Sequence, residues 1–334
     1  MDTTSLVQER DVTTTVGSGA FVYQEYKGWG RLPEGWEFGE VADVAVDSRD
    51  RLFVLTRGEH PVIILDREGV FIGSWGEGQF VRPHGLFIGS DDVVYTVDDK
   101  GHAVRKFTPE GELLMAIDTG DSPAKTGYVL NREDTVIVGG RPFNRPTAIA
   151  LAADGGFYVS DGYGNARVHR FDREGQLRFS WGEPGDAPGQ FRIPHDVYVG
   201  TDDKVYVADR MNRRIQVFGA EGEFLTEWPG VRWPNAMCVD ADDRMYVAEM
   251  GGVFFDWPLV RVNAPPARIT VRTLEGRILA ELGEVDPLGE GIWFSPHGIA
   301  VDSRGDVYVG EAAKSYTKGL ASAGWGSLRK YVKI

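Results

Sequence analysis

One pattern recurs along this chain at intervals of about 40 to 50 residues, and it constrains the fold more than any single motif. Each copy holds an apolar run ending in Asp or Gly, a polar turn and a second run of the form Tyr-Val-x-Asp/Glu. An Arg/Phe-rich run, an acidic-Gly turn and a last short run follow. Val205-Tyr206-Val207-Ala208-Asp209, Arg214-Ile215-Gln216-Val217-Phe218 and Glu221-Gly222 show it clearly, and Met245 to Glu249 and Val307 to Glu311 repeat its centre. Runs this short, rich in β-branched and aromatic residues and bounded by turn residues, are strands. Six copies of four strands predict an all-β fold, a six-bladed β-propeller. The sixth copy supplies only three strands before Ile334. An open ring would expose sheet edges, so the strand-like Phe21 to Tyr26 is expected to pair beside Leu328 to Val332 and close it. Residues 1–20 are expected to be a polar arm and residues 21–334 a single domain.

Three of the six histidines share one frame: Pro83-His84-Gly85, Pro194-His195-Asp196 and Pro296-His297-Gly298. Each stands before the first strand of every second copy, so closing the ring brings three imidazoles together at the axis. The matching places in the other copies hold Ala42, Thr147 and Asn235, so the repeat itself does not demand histidine. Three neutral imidazoles without a carboxylate suit Zn²⁺, with Zn–N contacts of about 2.0–2.1 Å and a fourth position open for water or substrate. Antiparallel strands put the starts of first strands and the ends of second strands on one face. That face gathers Arg57, Tyr163 and Arg210, and the long departures from the repeat at 121–144, 251–266 and 314–326. His60, His102 and His169 lack the frame and are expected at the surface or in support.

Composition narrows the partners to a small-molecule substrate. A net charge of -14 argues against nucleic acid, whose phosphates require a basic face. No run of 18 apolar residues and no charged-then-apolar leader is present, so no membrane-spanning or secretory segment is expected. Cys238 is the only cysteine, which excludes an internal disulfide and makes the cytoplasm the expected compartment. Oligomeric state is not legible.

Over residues 40 to 312 the chain resembles the NHL-repeat propellers and, within them, the peptidyl-α-hydroxyglycine α-amidating lyases. The resemblance rests on Arg57-Gly58-Glu59-His60, Pro83-His84-Gly85-Leu86, Ser160-Asp161-Gly162-Tyr163-Gly164-Asn165-Ala166-Arg167, Gly189-Gln190-Phe191, Ala208-Asp209-Arg210 and Pro296-His297. It implies His84, His195 and His297 as zinc ligands, Tyr163 as catalytic base, Arg57 beside that tyrosine, and Arg210 as a further pocket arginine. It also implies a structural calcium with main-chain oxygens at Val44 and Leu86. The family's aspartate after the third histidine is Gly298 here, which removes the charged ligand from that set, and its methionine two residues before is Ser295.

A phenol is too weak an acid to serve as a base at neutral pH unless cations favour its anion, and a guanidinium and a metal ion do so. The expected function is therefore a zinc-dependent lyase, or a hydratase or hydrolase, acting on a small hydroxyl- or carbonyl-bearing substrate. Ser295, Phe255, Trp257 and Trp293, with Phe254 and Phe294, are candidates for the pocket wall. A calcium lactonase would want carboxylate and amide ligands where this chain has imidazoles. The alternative from another class is a non-enzymatic propeller that binds a partner protein.

Overall fold

The computed structural model describes residues 12–26, 28–251, 265–283, 295–316 and 326–334. Six antiparallel sheets surround an axis. From the axis outward, blade one is Val41–Val46, Leu52–Thr56, Val62–Leu65 and Phe71–Trp75. Blade two is Pro83–Ile88, Val94–Asp98, Ala103–Phe107 and Leu113–Asp118. Blade three is Pro146–Leu151, Phe157–Asp161, Arg167–Phe171 and Leu177–Trp181. Blade four is Pro194–Val199, Val205–Asp209, Arg214–Phe218 and Phe224–Trp228. Blade five is Trp233–Val239, Met245–Met250, Arg268–Arg272 and Ile278–Leu282. Blade six begins with Pro296–Val301, Val307–Glu311 and Leu328–Lys333.

The ring closes as the sequence predicts: Phe21–Tyr26 pairs antiparallel with Leu328–Lys333, with Tyr23 opposite Lys333 and Tyr26 opposite Lys330. The expected arm is not wholly separate from the ring. Val12–Ser18 folds back on Phe21–Tyr26 as a fifth strand of blade six, because Gly17, Ser18, Gly19 and Ala20 allow a tight hairpin.

The core explains the Tyr-Val-x-Asp/Glu consensus. Side chains alternate across a strand, and both faces of a blade are covered by neighbours, so each second strand feeds two separate cores. Val205 and Val207 pack against blade three, while Tyr206 and Ala208 pack against blade five. In blades three and four the consensus tyrosine faces the following blade and reaches its outer turn. Tyr158 donates to the carbonyl of Ala220 at 2.8 Å, and Tyr206 to that of Leu274 at 3.2 Å. No helix among the described residues is long and apolar enough to cross a membrane.

Candidate metal centre at the axis

The innermost strand of every blade carries a β-bulge near its start. Pro83 lies opposite Asp98 and Gly85 opposite Val97, so His84 is the extra residue. His195 and His297 occupy the same place between Pro194 and Asp196 and between Pro296 and Gly298. Ala42, Thr147 and Asn235 fill it in the other three blades. A bulge re-aims a side chain and frees backbone groups from the ladder, and here it turns six residues toward the axis.

In blades two to six the consensus acid at the end of the second strand holds the segment that leads into the bulge, a place taken by Thr56 in blade one. Asp98 accepts the N–H groups of Val81, Arg82 and Gly101 at 2.7, 2.9 and 2.8 Å. Asp161 accepts from Asn144, Asp209 from Arg192, Glu249 from Arg232 and Glu311 from Ser295, at 2.8, 2.8, 2.7 and 3.1 Å. All five acids are fully buried. Replacing Asp98 by Ala strands three N–H groups, each costing about 1 kcal/mol or more, so urea denaturation is expected to show a loss of about 3 kcal/mol. A loss under 1 kcal/mol would show that water replaces the carboxylate.

Freed backbone carbonyls and bulge side chains join into a ring of links between successive blades. His84 Nδ1 donates to Thr147 O at 2.7 Å, Thr147 Oγ1 to Pro194 O at 2.9 Å, and His195 Nδ1 to Asn235 O at 2.7 Å. Asn235 Nδ2 donates to Pro296 O at 2.8 Å and His297 Nδ1 to Ala42 O at 2.6 Å. Ala42 has no donor to continue the ring. Arg57 Nε supplies it instead, reaching Pro83 O at 3.3 Å.

A carbonyl only accepts, so Nδ1 carries the proton in all three histidines and each Nε2 keeps its lone pair. The ring centroids stand 4.9, 4.8 and 4.9 Å apart, and the ligand nitrogens lie within 4.8 Å of one another. Burial, followed by the other histidines and nearby arginines, holds the pKa of His84 well below the ordinary value. Burial does the same first for His195 and His297, assisted by Arg210 and Arg57 respectively. The rings are therefore neutral, which is the ligand form. Tyr163 Oη lies 3.0 Å from His84 Nε2 and 3.0 Å from His195 Nε2. One phenolic proton cannot serve two lone pairs. The surplus of acceptors, with Nδ1–H groups fixed on carbonyls, is what a divalent cation at the three Nε2 atoms would resolve.

Three guanidiniums surround the Tyr163 ring: Arg145 at 4.9 Å, Arg210 at 5.2 Å and Arg82 at 5.9 Å from its centroid. Arg210 Nη1 also lies 3.5 Å from the phenol oxygen and 3.4 Å from Asn235 Oδ1. Buried Asp99 pairs with both Arg82 and Arg145. Arg57 differs from expectation. It is placed on the blade-one side of the axis, bonded to Pro83 O, to Ser315 Oγ at 2.9 Å and paired with Glu40 at 3.2 Å. Nothing in the sequence singles out Arg82 or Arg145 except their place directly before Pro83 and Pro146, the frame that also precedes the histidines.

Ser295 is fully buried, with its N–H on Glu311, and does not form an open wall. Phe254, Phe255, Trp257, Trp293 and Phe294 lie outside the described residues. Val44 and Leu86 line an axial cavity, and the Asp43 carboxylate accepts their N–H groups at 2.9 and 2.8 Å. Gly298 does not leave that cavity without carboxylates, because Asp43 and Asp196 face it. A Cβ on residue 298 would come within 2.4 Å of Asp43 Oδ1, so Asp43 fills the space a side chain there would need. Burial pushes both acids up, Asp196 to about 7. His169 joins Asp161 and Ser180 inside blade three, and His102 Nδ1 accepts the Arg145 N–H at 3.0 Å.

The NHL repeat model matches residues 143–171 and 191–218, the three inner strands of blades three and four. Human NHL repeat-containing protein 3 is 31% identical over 303 residues, which span 87% of this chain and 81% of that protein. The chain belongs to the NHL-repeat family. This NHL-repeat propeller is also 32% identical over 259 residues to peptidyl-alpha-hydroxyglycine alpha-amidating lyase 1 of Drosophila melanogaster, covering 71% of the chain and 44% of that protein. A solved streptogramin B lyase superposes with a TM-score of 0.58 at 17% identity, covering 94% of this chain and 99% of that one, a likeness that shows the fold alone.

Proposed function

We propose that this NHL-repeat propeller is a metal-dependent lyase that cleaves a carbinol of the N-acyl-α-hydroxyglycine type, with hydration or hydrolysis of a related carbonyl compound as the neighbouring chemistry. The observation that carries the reading is the phenol oxygen of Tyr163, placed 3.0 Å from two unprotonated Nε2 atoms of a buried three-histidine cluster. His84, His195 and His297 would hold the metal, and three neutral imidazoles favour zinc. When bound, such an ion supplies Lewis-acid stabilisation of negative charge on a reacting oxygen. Relatives named as amidating lyases support the choice of reaction.

Tyr163, in its anionic form, takes the proton of the substrate hydroxyl. The O–H electron pair becomes the new C=O bond, the C–N bond breaks, and the same phenol returns its proton to the amide nitrogen that leaves. An aldehyde and an amide result. Arg145 and Arg82 lie over the ring and keep positive charge beside it while it lacks its proton, and Asp99 fixes them both. Arg210 lies 3.5 Å from the phenol oxygen and would meet an anionic substituent of the substrate there. Burial of Tyr163, Arg145, Arg210 and Asp99 limits competing water and strengthens their charge interactions.

Untagged protein is expected to carry about one zinc per chain and to release the aldehyde from an N-acyl-α-hydroxyglycine. Tyr163→Phe is expected to lower kcat by on the order of 10²–10⁴ with zinc retained. Full activity of that variant removes the base from the proposal. Metal-free protein of unchanged stability would favour a non-enzymatic binding scaffold, the reading left open by relatives named only for their repeats.

A further inference from the structure

On the same face, between blades three and four, lies a cavity of about 300 Å³. Val136, Phe191, Ile193 and Met211 line it, with Glu133, Asp134 and Arg192 among its polar residues. That volume lies at the lower end of small-ligand sites. One wall comes from segment 121–144, a long departure from the repeat, so the cavity is not a by-product of blade packing. Its lining is tied to the reaction centre at three points. Gly162 precedes Tyr163, Met211 follows Arg210, and the Arg210 N–H donates to Ile193 O at 3.1 Å. Glu133 lies 3.9 Å from Arg145, whose guanidinium covers the Tyr163 ring.

Ile193 itself is the second, independent observation. Its φ is +59°, a left-handed conformation that a β-branched side chain adopts only under constraint. Arg145, the corresponding residue before proline in blade three, is bent the same way at +65°. Ile193 and Arg145, the residues before the first prolines of blades four and three, thus share a strained backbone beside the cavity and the Tyr163 ring.

We propose that this cavity seats the apolar part of the substrate, the acyl group on the nitrogen side of the carbinol. The enzyme then selects aromatic or branched acyl groups over small ones. The inference rests on the proposed lyase reading for the identity of the substrate but not for the existence of the site.

The test compares kcat/KM for N-benzoyl- and N-acetyl-α-hydroxyglycine in metal-loaded protein and in Met211→Trp, which fills the cavity, with benzamide binding measured by calorimetry alongside. The expected result is a preference for the benzoyl substrate that falls by about 10-fold or more in the variant. A preference unchanged in Met211→Trp, or both substrates slowed equally, overturns the proposal. If neither substrate reacts in the wild type, the lyase reading fails and the cavity is judged on benzamide alone. Binding weakened about 10-fold in the variant then supports it, and absent or unchanged binding overturns it. Should Met211→Trp not fold, Ile193→Gly, which fits the positive φ and removes a wall, is read by the same ratio.

Discussion

His195→Ala is expected to release the axial metal and to abolish turnover while the propeller stays folded. Three-histidine binding divides its free energy among the ligands. With apparent values of about 10–16 kcal/mol for whole zinc sites, losing one imidazole is expected to cost roughly 3–5 kcal/mol, or about 10²–10⁴ in affinity. Dialysis against a weak chelator followed by elemental analysis reads this directly, as a fall from about one zinc per chain to less than about a tenth. The fold is expected to persist because His195 contributes one link, Nδ1 to Asn235 O, to a ring that retains five others. In the wild type, added zinc is expected to raise the denaturation midpoint, since binding to the native state stabilises it by mass action, and this rise disappears in the variant. Retention of a full equivalent of zinc in His195→Ala would overturn the three-histidine site. The same analysis of His84→Ala and His297→Ala tests whether the three ligands are equivalent, as their ring spacings suggest.

The blades and the histidines were legible in the sequence because both follow from periodicity. Alternation along Val205 to Asp209 records two cores, one on each face, and a histidine in every second copy records closure of the ring. The cation cage was not legible. Arg82 and Arg145 stand among many arginines of the repeat, and only the left-handed turn at Arg145 and the shared carboxylate of Asp99 bring both to Tyr163. Arg57 was placed correctly on the axial face by its position after the second strand. Its partners follow instead from a missing side chain at Ala42, which no local pattern announces. Asp43 and Asp196 were passed over because each stands beside a bulge residue, where one position decides whether a side chain lies in the axial cavity. The strand Val12–Ser18 was hidden by its threonines and glycines, which resemble a linker until the chain turns back on itself.

Removing residues 1–26 is expected to abolish folding of the isolated chain, because among the described residues the seam of the ring has no other outer strand. Phe21, Tyr23 and Glu25 are buried, and Tyr23 shares a 2.8 Å hydrogen bond with Tyr246 of blade five. Burial of Phe21 and Tyr23 contributes about 1.5–3 kcal/mol each. Glu25 pairs with Arg329 at 3.1 Å, a partly buried guanidinium that also pairs with Glu311 at 2.9 Å, and losing one such charged hydrogen bond costs about 1.5–3 kcal/mol. These losses together equal a large share of the 5–15 kcal/mol that holds a typical domain together. They also leave the Leu328–Lys333 edge unpaired, which invites association with a second chain. The expected outcome is aggregated protein without a cooperative thermal transition. Removing residues 1–18 alone is expected to leave a folded, soluble ring of lower stability, because Phe21–Tyr26 still pairs with Leu328–Lys333. Glu25→Ala in the full chain separates the charge from the strand, and a loss of about 1.5–3 kcal/mol is expected in chemical denaturation, since Arg329 keeps Glu311. If the chain lacking residues 1–26 folds as a monomer with an unchanged transition, the N-terminal strand is not what closes the ring.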